Sequence, residues 1–304
     1  MSFALNRLLR SLLTVFGVLT AVFFLVRLSG DPVVMLLPEQ ATAAQVEELR
    51  RALGLDSPVI VQYLRFLLNA VQGDLGVSLR QQVPALSLVL ERLPATLELA
   101  VTSFVLGLLL AFAAGLAIHI SGSGRLRAVL MWAAFSRQAI PVFLFGQLLI
   151  LLFSVQLRWL PAVGRGGIEN LILPAATLAT YELGLYLRLF NAALGKEFAQ
   201  DYVRTAYAKG QGRTRIILRH MLPNALLPLV TVAGINLGVL LGGTVVTESV
   251  FGWPGVGRLI VQAVSQRDYP VVIAGMLVVS VIFVLVNLVV DLLYALLDPR
   301  VRLA

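Results

Sequence analysis

Long uninterrupted apolar runs dominate the chain, and polar residues collect between them. This is neither the period-2 alternation of a half-buried strand nor the one-sided stripe of a soluble helix. The first run covers about Leu8 to Leu28, with Arg7 before it and Arg10 in its first turn. It is longer than the apolar stretch of a secretion signal and ends in Arg27-Leu-Ser-Gly-Asp-Pro32 rather than at a small-residue cleavage site, which predicts a retained helix. Further runs cover about 95–120, 138–155, 168–190, 221–247 and 271–291. A helix needs about 20 residues to cross a hydrocarbon layer of about 30 Å. The pattern therefore predicts an all-α membrane protein with about six transmembrane helices. A membrane barrel would show alternating segments of about 10 residues, and VVIAGMLVVSVIFVLVNLVV does not alternate. Starting the third span near Gln138 leaves RLRAVLMWAAF along or entering the surface and puts Arg137 at an interface, where it can snorkel.

Between the first two spans, residues 29–94 have soluble character, with seven of the sixteen acidic residues lying before Arg92. Thr42-Ala-Ala-Gln45 has capping-box spacing ahead of VEELRRALGL, and Ser57-Pro58 puts proline at a helix start before VIVQYLRFLLNAV. Gly73-Asp-Leu-Gly76 reads as a turn, and Pro84 and Pro94 bracket one more short helix. The expectation is a small helical cap on one membrane face.

Composition agrees with this reading. Hydrophobic residues are 59% and charged residues 13% of 304, against about 45–50% and about 25% in soluble domains. With no cysteine, disulfides, thiol catalysis and Cys-ligated metals drop out. The net charge of +8 lies between apolar spans, so topology explains it better than nucleic acid does. Thirteen Lys or Arg residues fall on the side of the two termini, against Arg158, Arg165, Arg258 and Arg267 in the short loops of the other side. The positive-inside rule then makes both termini cytoplasmic and the cap between helices 1 and 2 external.

No catalytic set is visible. Gly195-Lys196 is followed by Glu197 without the upstream glycine of a phosphate loop, there is no HExxH, and His119 and His220 lie in unrelated contexts. The chain reads as a non-enzyme that binds no metal. A gradient-driven carrier would need several ionisable groups at the bilayer centre or an inverted repeat, and one buried carboxylate, Glu182, is thin support for it. Asn287 and Asp291 stand four apart on one helical face as a polar pair. Small residues recur at Gly107, Ala111 and Gly115, and at Gly234, Gly238 and Gly242. Such stripes serve helix packing or a moving, pore-lining face.

The most informative stretch is KEFAQDYVRTAYAKGQGRTRIILRHMLPNALLP, with six basic residues from Lys196 to Arg219 against Glu197 and Asp201. Its pattern predicts a helix to about Lys209, a break at Gly210-Gln-Gly212, a second short helix and a new span at Pro223. Tyr202, Ala206 and Lys209 recur at helical spacing. The unit suits either a docking knob or a basic segment held on anionic lipid.

This stretch resembles the cytoplasmic EAA loop of importer permeases of the ATP-binding-cassette type: Arg204-Thr-Ala206, Gly210, His220 and Leu222-Pro223 keep its spacing, departing at the Glu, the first Ala and the Ile. DYVRTAYAKG, Ser29-Gly-Asp-Pro32, Gly73-Asp-Leu-Gly76, Glu91-Arg-Leu-Pro-Ala-Thr96, Thr247-Glu-Ser-Val-Phe-Gly-Trp-Pro-Gly255 and Asp298-Pro-Arg300 are similar to its dipeptide and oligopeptide branch. The resemblance implies a multi-pass pore-forming subunit in a bacterial cytoplasmic membrane, most simply for di- or oligopeptides, the branch also serving nickel, glutathione and other small solutes. It implies a second homologous permease, two cytoplasmic ATPases that use ATP and Mg, an external solute-binding protein, contact with lipid and none with nucleic acid; this chain itself binds no cofactor. Three parts are expected: 1–28, N-terminus and first helix; 29–94, external cap; 95–304, a five-helix core with the coupling loop 191–222. Coupling falls to Tyr202, Arg204, Thr205, Ala206, Lys209, Gly210, His220, Leu222 and Pro223. Glu182, Asn236, Glu248 and Trp253 are expected on the path or at its outer gate, with Trp253-Pro-Gly255 equally able to be a rigid corner.

Overall fold

The computed structural model describes residues 2–28, 42–52 and 54–297. The helices are α1 (Ser2–Leu28), α2 (Ala43–Ala52), α3 (Val59–Val71), α4 (Ala85–Ser121), α5 (Gly124–Ala139), α6 (Val142–Leu149), α7 (Ile168–Glu197), α8 (Asp201–Ala208), α9 (Arg213–Ile216), α10 (Leu222–Val250), α11 (Val256–Ser265) and α12 (Tyr269–Leu297). π-helical turns Ile150–Gln156 and Ile217–Met221 extend α6 and join α9 to α10. Among the described residues, Ala85–Ser121 and Tyr269–Val290 are long and apolar enough to cross a membrane alone, and two bent pairs raise that number to four. The chain is an all-α membrane protein.

The chain divides into two compact units, one of residues 1–96 and 254–284, the other of 97–253 and 285–304. In the first unit, the Thr42 to Gln45 spacing closes as a reciprocal capping box. Thr42 N donates to Gln45 Oε1 at 2.9 Å and Gln45 N to Thr42 Oγ1 at 3.4 Å, which starts α2. Pro58 stands just ahead of α3, one place before the position expected. The turn at 73–76 forms with Asp74 Oδ1 accepting from Gly76 N at 2.9 Å. Beneath these elements Val22, Leu75, Leu88, Val89, Val256, Val271 and Val278 form one buried cluster. Asp268 is buried where α12 begins and holds the 78–81 turn, accepting from Ser78 Oγ and from Leu79 N at 3.0 Å.

One expectation fails here. Pro94 does not separate two helices: α4 runs unbroken through it for 37 residues. Proline removes one ladder donor and crowds the preceding turn, yet buried side chains on both sides of it, Leu88, Val89, Ala95 and Leu99, hold the helix through the missing bond.

The second unit packs around α7 and α10, with Ala111, Ile118, Tyr186, Phe190, Leu194, Ile216, Ile217, Met221 and Leu229 in one buried cluster. Inside lipid such contacts stabilise by close packing rather than by leaving water. The stripe on α4 fits that role. A Cβ at Gly107 would meet the Ala179 carbonyl at 3.2 Å and one at Gly115 the Phe190 ring, while Ala111 is fully buried. On α10, Gly234 faces Val290 and Gly238 is buried, whereas Gly242 is exposed and a Cβ there would meet open space. Asn287 is half-buried, and the Asp291 side chain lies outside the described ones.

Between α5 and α6 the chain turns by 106°. Proline at 141 drives Ile140 out of helical geometry, to φ −89° and ψ 124°, so α5 stops at Ala139. Arg137 is buried in the elbow instead of snorkelling at an interface. Its Nε donates to Thr180 Oγ1 at 3.1 Å, Nη1 to Ile140 O at 3.0 Å and Nη2 to Thr177 O at 2.9 Å, and its guanidinium lies 3.7 Å over the Phe145 ring. The cation thus ties the Ile140 carbonyl at the end of α5 to Thr177 and Thr180 on α7.

Candidate functional site

The polar stretch after α7 folds as a helix, a break and a short helix, built on the second unit. The break has a defined geometry. Gly210 sits in the left-handed region at φ +76°, its N–H bonds to Tyr207 O at 2.9 Å, and Gln211 N bonds to Ala206 O at 3.2 Å. These two bonds are a Schellman closure, in which the residue after the cap takes left-handed backbone that only glycine adopts without strain. Gly212 stands at φ −70° ahead of α9 and has no such requirement.

Val203 and Ala206 are buried on the inner face of α8, and Ile216, Ile217 and Met221 are buried behind the break. Tyr202, Arg204, Thr205, Lys209 and Gly210 are exposed. Tyr202, Ala206 and Lys209 therefore do not share one exposed face, because Ala206 turns inward. Leu222 is half-buried against the core, and Pro223 is exposed at the second position of α10, directly after the π-helical turn Ile217–Met221.

Side-chain bonds tie the stretch together. Tyr202 Oη donates to Glu197 and accepts from Asn224 Nδ2 at 3.3 Å, and His220 Nε2 pairs with Gln211 Oε1 at 2.9 Å. Partial burial, then the Glu197 carboxylate, pushes the Tyr202 hydroxyl above its ordinary range, so it stays a donor at neutral pH. Arg204 makes a fully wet contact with Asp201 at 3.7 Å, which contributes little. Arg213, missed in the sequence, is the strap. Its Nε donates to His119 O at 2.7 Å near the end of α4, and its guanidinium lies 5.5 Å from the Phe198 ring, which stacks on His119 at 5.6 Å. No local spacing announces a bond spanning 94 residues.

The residues expected on the path fall in two places. Glu182 on α7 accepts from Asn236 Nδ2 on α10 at 3.2 Å, so two of them meet. Glu248 and Trp253 are both fully buried at the end of α10, Trp253 N donating to Glu248 O at 2.8 Å. Arg165 closes over this corner, 6.0 Å from the Trp253 ring, while pairing with Glu98 at 2.6 Å. Within this unit the arrangement is a packed corner.

The second unit thus carries an exposed, glycine-broken polar knob on a helical membrane body. Residues 103–303 match the family described as binding-protein-dependent transport system inner membrane component, and residues 1–100 match its N-terminal region. The chain belongs to this family and is a permease subunit of an ATP-binding-cassette importer, not an enzyme. The glutathione transport system permease protein GsiC of Escherichia coli K12 is 40% identical to it over 303 residues, 99% of each chain. GsiC from a second E. coli strain is 41% identical over the same span, again 99% of each chain. Among solved structures, inward-facing MetNI methionine ABC transporter aligns with a TM-score of 0.54 at 17% identity, covering 69% of this chain and 96% of that one. That likeness supports the fold alone.

Proposed function

We propose that this chain is one of two pore-forming subunits of an importer for glutathione or peptides of similar size, coupled to cytoplasmic ATPases through residues 197–222. The GsiC relatives at about 40% identity over 99% of the chain support the solute class, which was the alternative to general di- or oligopeptides in the sequence reading. The remaining partners are a second permease, two ATPases that bind ATP and Mg, and an external binding protein delivering solute. The membrane is the bacterial cytoplasmic one, with about six spans, both termini inside and the region after α1 outside. Glu182 and Asn236 are the polar contacts of the path.

The observation that carries the coupling reading is the Schellman-closed break at Gly210, which holds α8 and α9 as one rigid projection on a buried base. A projection of this kind passes on a push that a floppy basic segment would absorb. Leucine at 210 meets no neighbouring atom within 4 Å but must hold left-handed backbone, at about 1–2 kcal/mol. That strain shifts a docking equilibrium by about tenfold. The expected result for Gly210→Leu is a complex that inserts normally, with uptake down about tenfold and the ATPase either lost on purification or turning over without transport. Gly212→Leu, at φ −70°, stays near wild type. Wild-type uptake, ATPase rate and co-purification for Gly210→Leu would reduce the stretch to a surface segment.

A further inference from the structure

Helix α3 has three differently composed sides. Ile60, Leu64, Leu68 and Val71 recur at three-to-four spacing and are 60%, 53%, 65% and 89% exposed, a purely aliphatic stripe among the described residues. Gln62, Arg65 and Asn69 form a polar side along a cavity of about 620 Å³ that Arg27 also lines. The third side packs on α1: Phe23 lies 5.2 Å from Tyr63 and stacks on Phe66 at 5.3 Å, Phe24 lies 5.5 Å from Tyr63, and Tyr63 Oη shares a hydrogen bond of 2.7 Å with Thr20 Oγ1.

The last contact fixes a depth. From residue 11 to residue 26, α1 carries no charged side chain, so Arg27 marks where its apolar stretch ends. Thr20 lies seven residues before Arg27, about 10 Å of helix inside that limit. A segment bonded to Thr20, stacked on Phe23 and in ring contact with Phe24 lies alongside hydrocarbon rather than above the headgroups.

We propose that α3 is not part of a water-borne cap but an interfacial helix lying in the leaflet at the Arg27 end of α1, its Ile60, Leu64, Leu68 and Val71 stripe bathed in phospholipid acyl chains. The flank bearing Arg65, with Arg27 across the cavity, reaches toward the phosphate layer, as long basic side chains do at this depth. The occupant is lipid rather than another protein chain because the stripe is wholly aliphatic, lacking the aromatic and arginine anchors of protein interfaces, and because it runs at the depth α1 defines. The inference rests on the membrane assignment of α1 and not on the solute or on the coupling loop.

The chain has no cysteine, so a single introduced cysteine is the one labelling site in this subunit, and the unsubstituted importer serves as the label background. Nitroxides at Leu64→Cys and Leu68→Cys, with Arg51→Cys on exposed α2 as the water reference, are read in the intact importer reconstituted in phosphatidylethanolamine and phosphatidylglycerol bilayers. Collisions with a water-soluble nickel chelate are expected to be about tenfold rarer at 64 and 68 than at 51, while collisions with oxygen, which concentrates in hydrocarbon, are at least as frequent. Nickel access equal to that at 51 would place α3 in water and overturn the proposal. Protection from both reagents would also overturn it, since it would mean that a protein partner covers the stripe.

Discussion

Gly115→Leu is expected to cut the amount of folded permease in the membrane several-fold, while Gly17→Leu leaves it unchanged. At Gly115 the backbone of α4 lies against the Phe190 ring, which is fully buried and stacked on Phe112 at 5.0 Å, so it has little room to move. Overpacking of a closed site costs about 1–3 kcal/mol, a large part of the net stability of a typical domain. Gly17 has no atom within 4 Å of an added Cβ, and leucine is a better helix former than glycine. Quantitative immunoblotting of washed membranes checks both variants. Equal levels for Gly115→Leu and wild type would mean that α4 and α7 do not pack this closely.

The second large effect belongs to Arg137. Its guanidinium makes three hydrogen bonds in a buried elbow, two of them to the backbone carbonyls of Ile140 and Thr177. Hydrogen bonds to a charged group contribute about 1.5–3 kcal/mol, so losing the set in Arg137→Ala is expected to lower the Tm of the detergent-purified importer by about 5–10 °C. Arg137→Lys keeps the charge but not the planar fork that spans three acceptors, and recovers only part of the loss. A lysine variant as stable as wild type would show that charge alone matters there.

These two sites mark what the sequence made legible and what it did not. The capping box at Thr42 and the break at Gly210 were readable because each is a local event, settled by residues within four positions. The elbow at Ile140-Pro141 was half readable: span length alone started the third span near Gln138, within a few residues of the break, but the turn at the proline was not expected. The burial of Arg137 was not, because Thr177 and Thr180, which draw the guanidinium inward, stand about forty residues away. Arg213 and the His119 carbonyl, and Arg165 with Glu98, hide for the same reason. Pro94 misled in the opposite direction. Local punctuation pointed to a helix end, but burial of Leu88, Val89, Ala95 and Leu99 on either side outweighs one missing bond.

The most direct test of the coupling assignment uses a benzophenone maleimide on single cysteines in the assembled importer. Thr205→Cys and Tyr207→Cys stand on the exposed side of α8, and Gln82→Cys is an exposed position in the 78–84 turn of the other unit. Illumination is predicted to give an ATPase adduct from 205 and 207, with a yield that changes when ATP is added, and none from 82. An absence of adduct at both α8 positions, or an equal yield from 82, would contradict the assignment of 197–222 as the surface on which the ATPase docks.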